Sequence, residues 1–261
     1  MAQVEADGGT LRCGSGVAVV TGAGRGIGRA IADALSGAGF AVGRVSLEGA
    51  TGPIPQGDRA YEADVARIED HAALLAQVAA DLGEPTCLVN NAGVTSLVRG
   101  DPLDLTPESY DRTLAINLRA GVFLAQAFAR RRIAATANGG PPSRCSLVFI
   151  GSANAEIVGE NRADYCVSKA GVAMAAKVFA ARLAREGIAV YEVRPGVIRT
   201  EMTRPAVARY DALIEAGGIP MGRWGEPEDV GRAVAALATG AIPYATGIHV
   251  DVGGGMQLHR V

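Results

Sequence analysis

The sequence predicts a single α/β domain built on a doubly wound, seven-stranded parallel sheet with helices on both faces. Three observations carry this. Short apolar runs recur at Val17-Ala18-Val19-Val20, Cys87-Leu88-Val89 and Leu147-Val148-Phe149-Ile150, each fitting a strand buried on both sides. Longer stretches with apolar residues at helical spacing lie between them. A glycine-rich loop, Thr21 to Gly28, follows directly on the first run. At 261 residues the chain is long enough for one large domain and does not require two.

Composition narrows the function classes. Hydrophobic residues make up 49% and charged residues 20%, as in a chain that buries a core. A net charge of -2 provides no basic field for nucleic acid or an anionic membrane. No apolar run reaches membrane-spanning length, and no basic segment with an apolar core marks a signal peptide. Cys13, Cys87, Cys145 and Cys166 are scattered without a CxxC pair, which reads as reduced thiols in a cytoplasmic protein. His71, His249 and His259 are dispersed, so no metal set is expected.

Residues 1–15 are small, polar and aperiodic and read as a mobile tail before a domain at 16–261. In the loop after the first strand, Gly22 permits a tight turn and Gly26 lets the backbone approach a pyrophosphate. Gly28 lets the next helix pack on the strand. That helix carries Ile27, Ile31, Ala34 and Leu35 on one side and offers its N-terminal N–H groups to phosphates. Dinucleotide binding is the expected use. The second strand spans Phe40 to Ser46, where an acidic residue at the end commonly accepts from a ribose 2′-hydroxyl. Here the residues are Arg44-Val45-Ser46-Leu47, with Glu48 the first acid. Arg44 shares a strand face with Ser46, and an arginine in a parallel strand needs an anionic partner or a route to water. A 2′-phosphate would serve, with Arg25 as a second contact; a protein carboxylate is the alternative. On this ground NADP(H) is favoured, with NAD(H) as the alternative cofactor.

Residues 49–60 carry turn formers where a crossover helix would normally lie, so a loop or a very short helix is expected. Tyr61 to Val65 end the third strand. Asp64 either accepts from an adenine amino group, with Val65 behind the ring, or caps the next helix. Ile68 to Leu82 reads as a helix. The fourth strand, Cys87 to Val89, runs into Asn90-Asn91-Ala92-Gly93, whose small residues let the backbone pass close to a flat cofactor. A long helix follows Pro102–Thr106 and runs through Phe128. Asn117 inside it is costly unless partnered, as a buried hub or as part of a polar network near the site. Residues 137–143 read as a surface loop.

The fifth strand ends at Gly151-Ser152, which puts a hydroxyl at the carboxyl edge, where open α/β sheets bind ligands. Tyr165 and Lys169 stand at i and i+4 on the next helix, one turn apart on one face. A phenol near pKa 10 is lowered by roughly 1–3 units when a cation is held close. Tyr165 is therefore a candidate general acid/base. Val190 to Arg194 form the sixth strand. An insertion from Glu201 to Gly222, within a lid at residues 198–222, then offers Met202, Arg204, Tyr210 and Met221 as lining candidates. Glu226 to Leu237 reads as a helix with Pro227 in its first turn. The last strand spans Ile248 to Val252 and ends at Gly253-Gly254-Gly255.

Taken together, TGAGRGIG (21–28), Asp64-Val65, NNAG (90–93), Asn117, Ser152, YCVSK (165–169) and Pro195-Gly196 with Thr200 resemble the short-chain dehydrogenase/reductase family. The resemblance runs from residue 16 to 255 and implies a Rossmann fold. LTPESYDRTLAINLR, YCVSKAG, YEVRPG and RWGEPEDV are similar to its 3-oxoacyl-[acyl-carrier-protein] reductase-like branch. It implies hydride transfer between a nicotinamide dinucleotide and a small ketone or secondary alcohol. In the family's scheme Tyr165 exchanges the proton, while Lys169 lowers the phenol's pKa and holds the nicotinamide ribose. Ser152 hydrogen-bonds the substrate oxygen. Asn117 resembles the residue that fixes a water linking Lys169 to solvent, and Ile198 and Thr200 resemble the contacts to the carboxamide. A homotetramer is implied too. Two other readings stay open: a catalytically silent dinucleotide sensor or scaffold, and a reductase of carrier-bound 3-oxoacyl or polyketide substrates. The chain departs from the family pattern at Ser46 and in the short 47–60 segment.

Overall fold

The computed structural model describes residues 16–49, 52–138 and 144–258. The expected tail at 1–15, Cys13, most of the 137–143 loop and His259 lie outside the described residues. The strands are β1 (Val17–Thr21), β2 (Ala41–Ser46), β3 (Arg59–Glu62), β4 (Pro85–Asn90), β5 (Cys145–Ile150), β6 (Ile188–Pro195) and β7 (Ile248–Val252). All pair in parallel in one seven-stranded sheet, in the order β3-β2-β1-β4-β5-β6-β7. The winding direction reverses between β1 and β4, so the carboxyl ends of these two strands open a crevice.

Burial on both faces explains the unbroken apolar runs. Val17 and Val19 pack with residues of α2 (His71–Leu82), α4 (Ala120–Ala137) and α5 (Ala163–Leu183). Ala18 and Val20 point the other way, into a cluster with α1 (Gly26–Gly37) and α7 (Pro227–Thr239). Every residue of β5 is buried. The long helix expected before Phe128 is three pieces: α3 (Pro107–Leu114), a π turn at Ala115–Arg119, and α4. The π turn carries Asn117, so the costly mid-helix amide sits where the helical ladder is already interrupted. A smaller apolar cluster under the insertion gathers Val197, Ile219 and Trp224 with residues of α6 (Val207–Glu215).

Two expectations on the β2–β3 side need correction. The third strand stops at Glu62, so Asp64 and Val65 lie in the loop beyond it. There Asp64 Oδ1 accepts from Ala66 N at 2.9 Å in an Asx-type turn, and it does not cap the next helix, whose N-cap residue is Arg67. The partner of Arg44 is protein, not free for a phosphate. Its Nη1 donates to Asp33 at 2.7 Å, and its Nε and Nη2 donate to Asp58 Oδ2 at 2.9 and 2.7 Å. Asp58 Oδ1 also accepts from Val42 N at 3.0 Å. The physical reason is the short crossover. The described residues between β2 and β3 form no helix, so the α1-side face of these strands lacks its usual apolar cover. Arg44 and Asp58, both buried, fill that place and tie α1 to the sheet edge.

Arg44→Met leaves the Asp58 carboxylate buried without its cation. The expected cost is about 3–5 kcal/mol in urea unfolding, with the ratio of NADPH to NADH affinities unchanged.

Candidate active site at the carboxyl edge

The glycine loop forms a cradle by lacking side chains. Gly22 and Gly26 hold φ of +65° and +54°, the left-handed region. A Cβ on Gly28 would lie 2.1 Å from the Gly22 carbonyl oxygen, so only glycine lets α1 start this close to β1. Across the crevice, Asn91 Nδ2 donates to the Thr21 carbonyl at 2.8 Å, while Thr21 Oγ1 accepts from Asn91 N and Ala92 N, each at 3.0 Å. This latch joins the ends of β1 and β4. It sets Ala92 and Gly93 beside the loop. The end of β6 completes the rim: Pro195 closes the strand, and a Cβ on Gly196 would lie 2.6 Å from Gly253 Cα. Thr200 reaches the glycine loop, its Cγ2 3.6 Å from where a Gly26 Cβ would stand. Thr203 Oγ1 donates to the Ile198 carbonyl at 2.8 Å and orders that turn. Arg25 caps α1 and pairs with Glu201 at 3.2 Å, both well exposed. Ser46 Oγ, at the end of β2, donates to the Gly49 carbonyl at 2.5 Å. Val65 accepts through its carbonyl from His71 Nε2 at 2.8 Å. The cradle of Gly22, Gly26, Ile27 and Gly28 at a helix N-terminus fits the pyrophosphate of a dinucleotide.

Ser152 is buried at the end of β5, where its Oγ accepts from Asn154 N at 3.1 Å. Tyr165 and Lys169 project from the first turns of α5 toward the same edge. Lys169 Nζ donates to the Ile150 carbonyl at 2.9 Å and lies 5.7 Å from the centre of the Tyr165 ring. Burial pushes the Lys169 ammonium down to about 8, against the pull of the Glu192 carboxylate. The expectation that Lys169 holds the phenol's pKa down needs correction. Burial dominates and raises the phenol; the opposing pulls come from the Ser152 hydroxyl and then the Arg162 guanidinium. The reason is solvation: removing water from around a phenolate costs more than these neighbours return. Asn117 is fully used. Its Oδ1 accepts from Val94 N at 2.7 Å, and its Nδ2 donates to the Val94 carbonyl at 3.0 Å and to Ser168 Oγ at 3.1 Å. It therefore joins the β4 loop to the catalytic helix, the hub that its position in the sequence suggested.

Four site residues were not anticipated. Asp164, fully buried, directly precedes Tyr165. It accepts from Ser96 Oγ, from Ser109 Oγ at 2.8 Å, from Thr113 Oγ1 at 2.9 Å and from Tyr165 N at 2.8 Å. Burial raises its carboxyl, but these donors together hold it below the usual aspartate value. Glu192 and Arg194 form a buried pair on β6, with Arg194 Nε 2.9 Å from Glu192 Oε2. Glu192 lies directly under Gly151, whose Cβ would stand 2.2 Å from Glu192 Oε1. Charges at i and i+2 in a strand otherwise read as buried were the available signal for this pair. Arg162, the residue before α5, donates from Nη2 to the Tyr210 hydroxyl at 3.3 Å. Of the lining candidates, Tyr210 is thus in the site and packs edge-on against Trp224 at 5.5 Å. Met202, Arg204 and Met221 are exposed on the insertion.

Comparison with known proteins decides the family. A family model described as enoyl-(acyl carrier protein) reductase matches residues 22–257. The chain belongs to the short-chain dehydrogenase/reductase family. Mouse (3R)-3-hydroxyacyl-CoA dehydrogenase is 35% identical over 265 residues, which cover 95% of this chain and 98% of that one. Among solved structures, a 3-oxoacyl-[acyl-carrier protein] reductase from Brucella melitensis in complex with NAD is 40% identical. It superposes with a TM-score of 0.87 over 94% of this chain and 98% of that one. A putative 2-deoxy-D-gluconate 3-dehydrogenase from Agrobacterium tumefaciens with bound NADP is 30% identical, with a TM-score of 0.80 over 94% and 98%. The protein is thus an oxidoreductase of the CH–OH/C=O class whose family uses NAD or NADP.

Asp164→Asn removes the charge that the three hydroxyls serve and is expected to cost about 3 kcal/mol in urea unfolding at pH 7. A second expectation concerns Lys169. Below pH 8 the folded and unfolded chains both carry this charge, so the folded state bears the full cost of burying it. Between about 8 and 10.4 the folded chain has lost the proton and the unfolded chain keeps it, so stability rises with pH. Lys169→Met is therefore expected to be more stable than the parent at pH 7. That gap should narrow by roughly 3 kcal/mol as unfolding is repeated up to pH 10.5.

Proposed function

We propose that the chain interconverts a small ketone and a secondary alcohol with Tyr165 as the general acid/base. The observation that carries the reading is the convergence of Ser152, Tyr165 and Lys169 at the carboxyl ends of the sheet, beside the glycine cradle. A bound nicotinamide dinucleotide supplies or accepts the hydride. Gly22, Gly26, Ile27 and Gly28 hold its phosphates, while Asn91, Ala92 and Gly93 line the path past its adenosine half. Pro195, Gly196, Ile198 and Thr200 lie on the nicotinamide side. Tyr165 gives its phenolic proton to the carbonyl oxygen in reduction and takes it back in oxidation. Ser152 donates to that same oxygen as negative charge develops. Lys169, held by the Ile150 carbonyl, steadies the ribose. Asn117 and Ser168 connect this helix to the β4 loop, and Asn117 is proposed to hold the water through which Lys169 is resupplied with protons.

On the adenosine side, NADP(H) remains favoured and NAD(H) the alternative, on narrower grounds. Arg44 is spent on Asp33 and Asp58. What supports a 2′-phosphate is Ser46, which brings no carboxylate to the end of β2, and Arg25. The exposed pair of Arg25 with Glu201 is worth little, so the guanidinium is available. Asp64 and Val65 remain proposed neighbours of the adenine. A cytoplasmic location accords with the lack of paired cysteines in the sequence. A homotetramer is supported by apolar side chains left exposed on α4 and α5: Phe123, Met174 and Val178. No nucleic-acid or membrane partner is proposed, and no helix of the described residues is long and apolar enough to cross a membrane.

Tyr165→Phe tests the central role: turnover of a ketone panel should fall by about 10²–10⁴, the usual worth of general acid/base catalysis, with dinucleotide affinity retained. Undiminished turnover would reject the assignment, and binding without turnover in the parent chain would favour the silent-sensor reading. Fluorescence titration of NADPH against NADH tests the cofactor. Arg25→Ala should weaken NADPH by about tenfold, roughly one charge-assisted contact, and leave NADH alone; tighter NADH binding by the parent chain overturns the preference.

A further inference from the structure

Arg162 is a cation beside the proposed general acid that the proposed chemistry leaves without an anion. Its stem is fixed. A Cβ on Gly159 would lie 2.8 Å from Arg162 Cγ and 3.1 Å from its Cδ, so the side chain lies along the bare backbone of that glycine. Its head is directed at the lid, where Nη2 donates to the neutral Tyr210 hydroxyl at 3.3 Å. It is also close enough to the Tyr165 phenol to stabilise the phenolate. Its Nε is shut off from solvent and has no hydrogen-bond partner. A fully hydrated arginine needs no counterion, but a guanidinium with a dehydrated, unpaired N–H does.

The acids nearest in the chain are committed elsewhere. Glu156 accepts from Arg194 Nη1 at 2.5 Å. Asp164 serves Ser109 and Thr113 at 2.8 and 2.9 Å. On the lid, Asp211 Oδ1 accepts from Trp224 Nε1 at 2.7 Å. Glu160 is exposed, and no carboxylate of the described residues pairs with Arg162. The charge therefore stands between the proposed general acid and the lid.

Resting on the redox reading above, we propose that Arg162 binds a carboxylate of the substrate, which makes the preferred substrate a free keto or hydroxy acid and not a neutral ketone or a carrier-bound thioester. A guanidinium presents a planar fork of N–H donors that matches two carboxylate oxygens. Tyr210, on α6 of the insertion, supplies a third polar contact to the same group. In a thioester the acyl carbon carries no negative charge, so such a substrate would leave the guanidinium as unsatisfied as it is now.

The test compares a series of keto acids with their methyl esters, with NADPH or NADH oxidation followed by absorbance. The parent enzyme should use the acids with kcat/KM at least about tenfold above the esters, as one charge-assisted contact provides. Arg162→Met should raise KM for the acids by a similar factor and leave KM for the esters within about twofold, any loss of kcat from the missing charge beside the phenol being shared by both, which collapses the preference. Equal use of acid and ester by the parent, or a variant that loses both alike, overturns the proposal. The second result would mean that Arg162 acts only on the Tyr165 phenol. A probe that needs no turnover is butyrate added to the enzyme–NADPH complex. It should raise the Tm of the parent and not of Arg162→Met, and no shift in the parent overturns the proposal. Should the Met variant fail to fold, Arg162→Lys keeps the charge without the fork and should bind butyrate more weakly than the parent. Dinucleotide affinity and the Tyr165→Phe rate are measured alongside, so a failure of the redox reading shows there and is distinguishable from a failure of carboxylate recognition.

Discussion

A buried carboxylate decides where the catalytic helix begins. Asp164 draws hydroxyls from Ser96 in the β4 loop and from Ser109 and Thr113 on α3, and accepts the Tyr165 N–H in the first turn of α5. An anion in the first turn of a helix is favoured by the helix dipole, and three hydroxyl donors replace the water it has lost. Tyr165 is the next residue, so the position of the phenol follows from that of the carboxylate. Lys169 follows in turn, one helical turn on, and its ammonium reaches the Ile150 carbonyl at the end of β5. The catalytic edge is thus assembled by polar contacts between elements distant in sequence, set on an apolar sheet that supplies rigidity but no address.

The crevice beside it is made chiefly by what is missing. Gly28 could not carry a Cβ without striking the Gly22 carbonyl, and Gly196 could not carry one without striking Gly253. Such sites exclude side chains so that a ligand's phosphates and ring can approach backbone. Charge is then distributed around that space with unequal degrees of neutralisation. Arg44 and Arg194 are each matched by two carboxylates, one of them buried, and act as structural ties. Arg25 is matched loosely at the surface, and Arg162 faces a neutral phenol. The degree of matching separates cations that hold the fold from cations left for a ligand.

Much of the catalytic edge was legible because its signals are local. A short apolar run followed by a glycine loop and a helical period describes strand, turn and helix without reference to anything distant. Tyr165 and Lys169 fall on one face through helical geometry alone. Asn117 announced itself as a polar residue in a helix that should not tolerate one. The misreadings have the opposite character. Arg44 was correctly seen to need an anion, but its sequence neighbourhood does not say which. Asp58 reaches it only because β3 pairs with β2 in a particular register. The phenol's surroundings were misjudged similarly, since the burial that governs it is a property of the packed molecule.

What the sequence determined by itself was the order of elements, the parallel α/β class, the glycine cradle and the helix bearing Tyr165 and Lys169, because each is encoded within a span of a few residues. Only the tertiary structure decided which charges meet. The hydroxyl partners of Asp164 come from 51 to 68 positions away, and Glu192 lies under Gly151 only once β5 and β6 are side by side. Backbone periodicity is a local property of the chain, whereas the neutralisation of a buried charge depends on which distant group packing brings within about 3 Å of it.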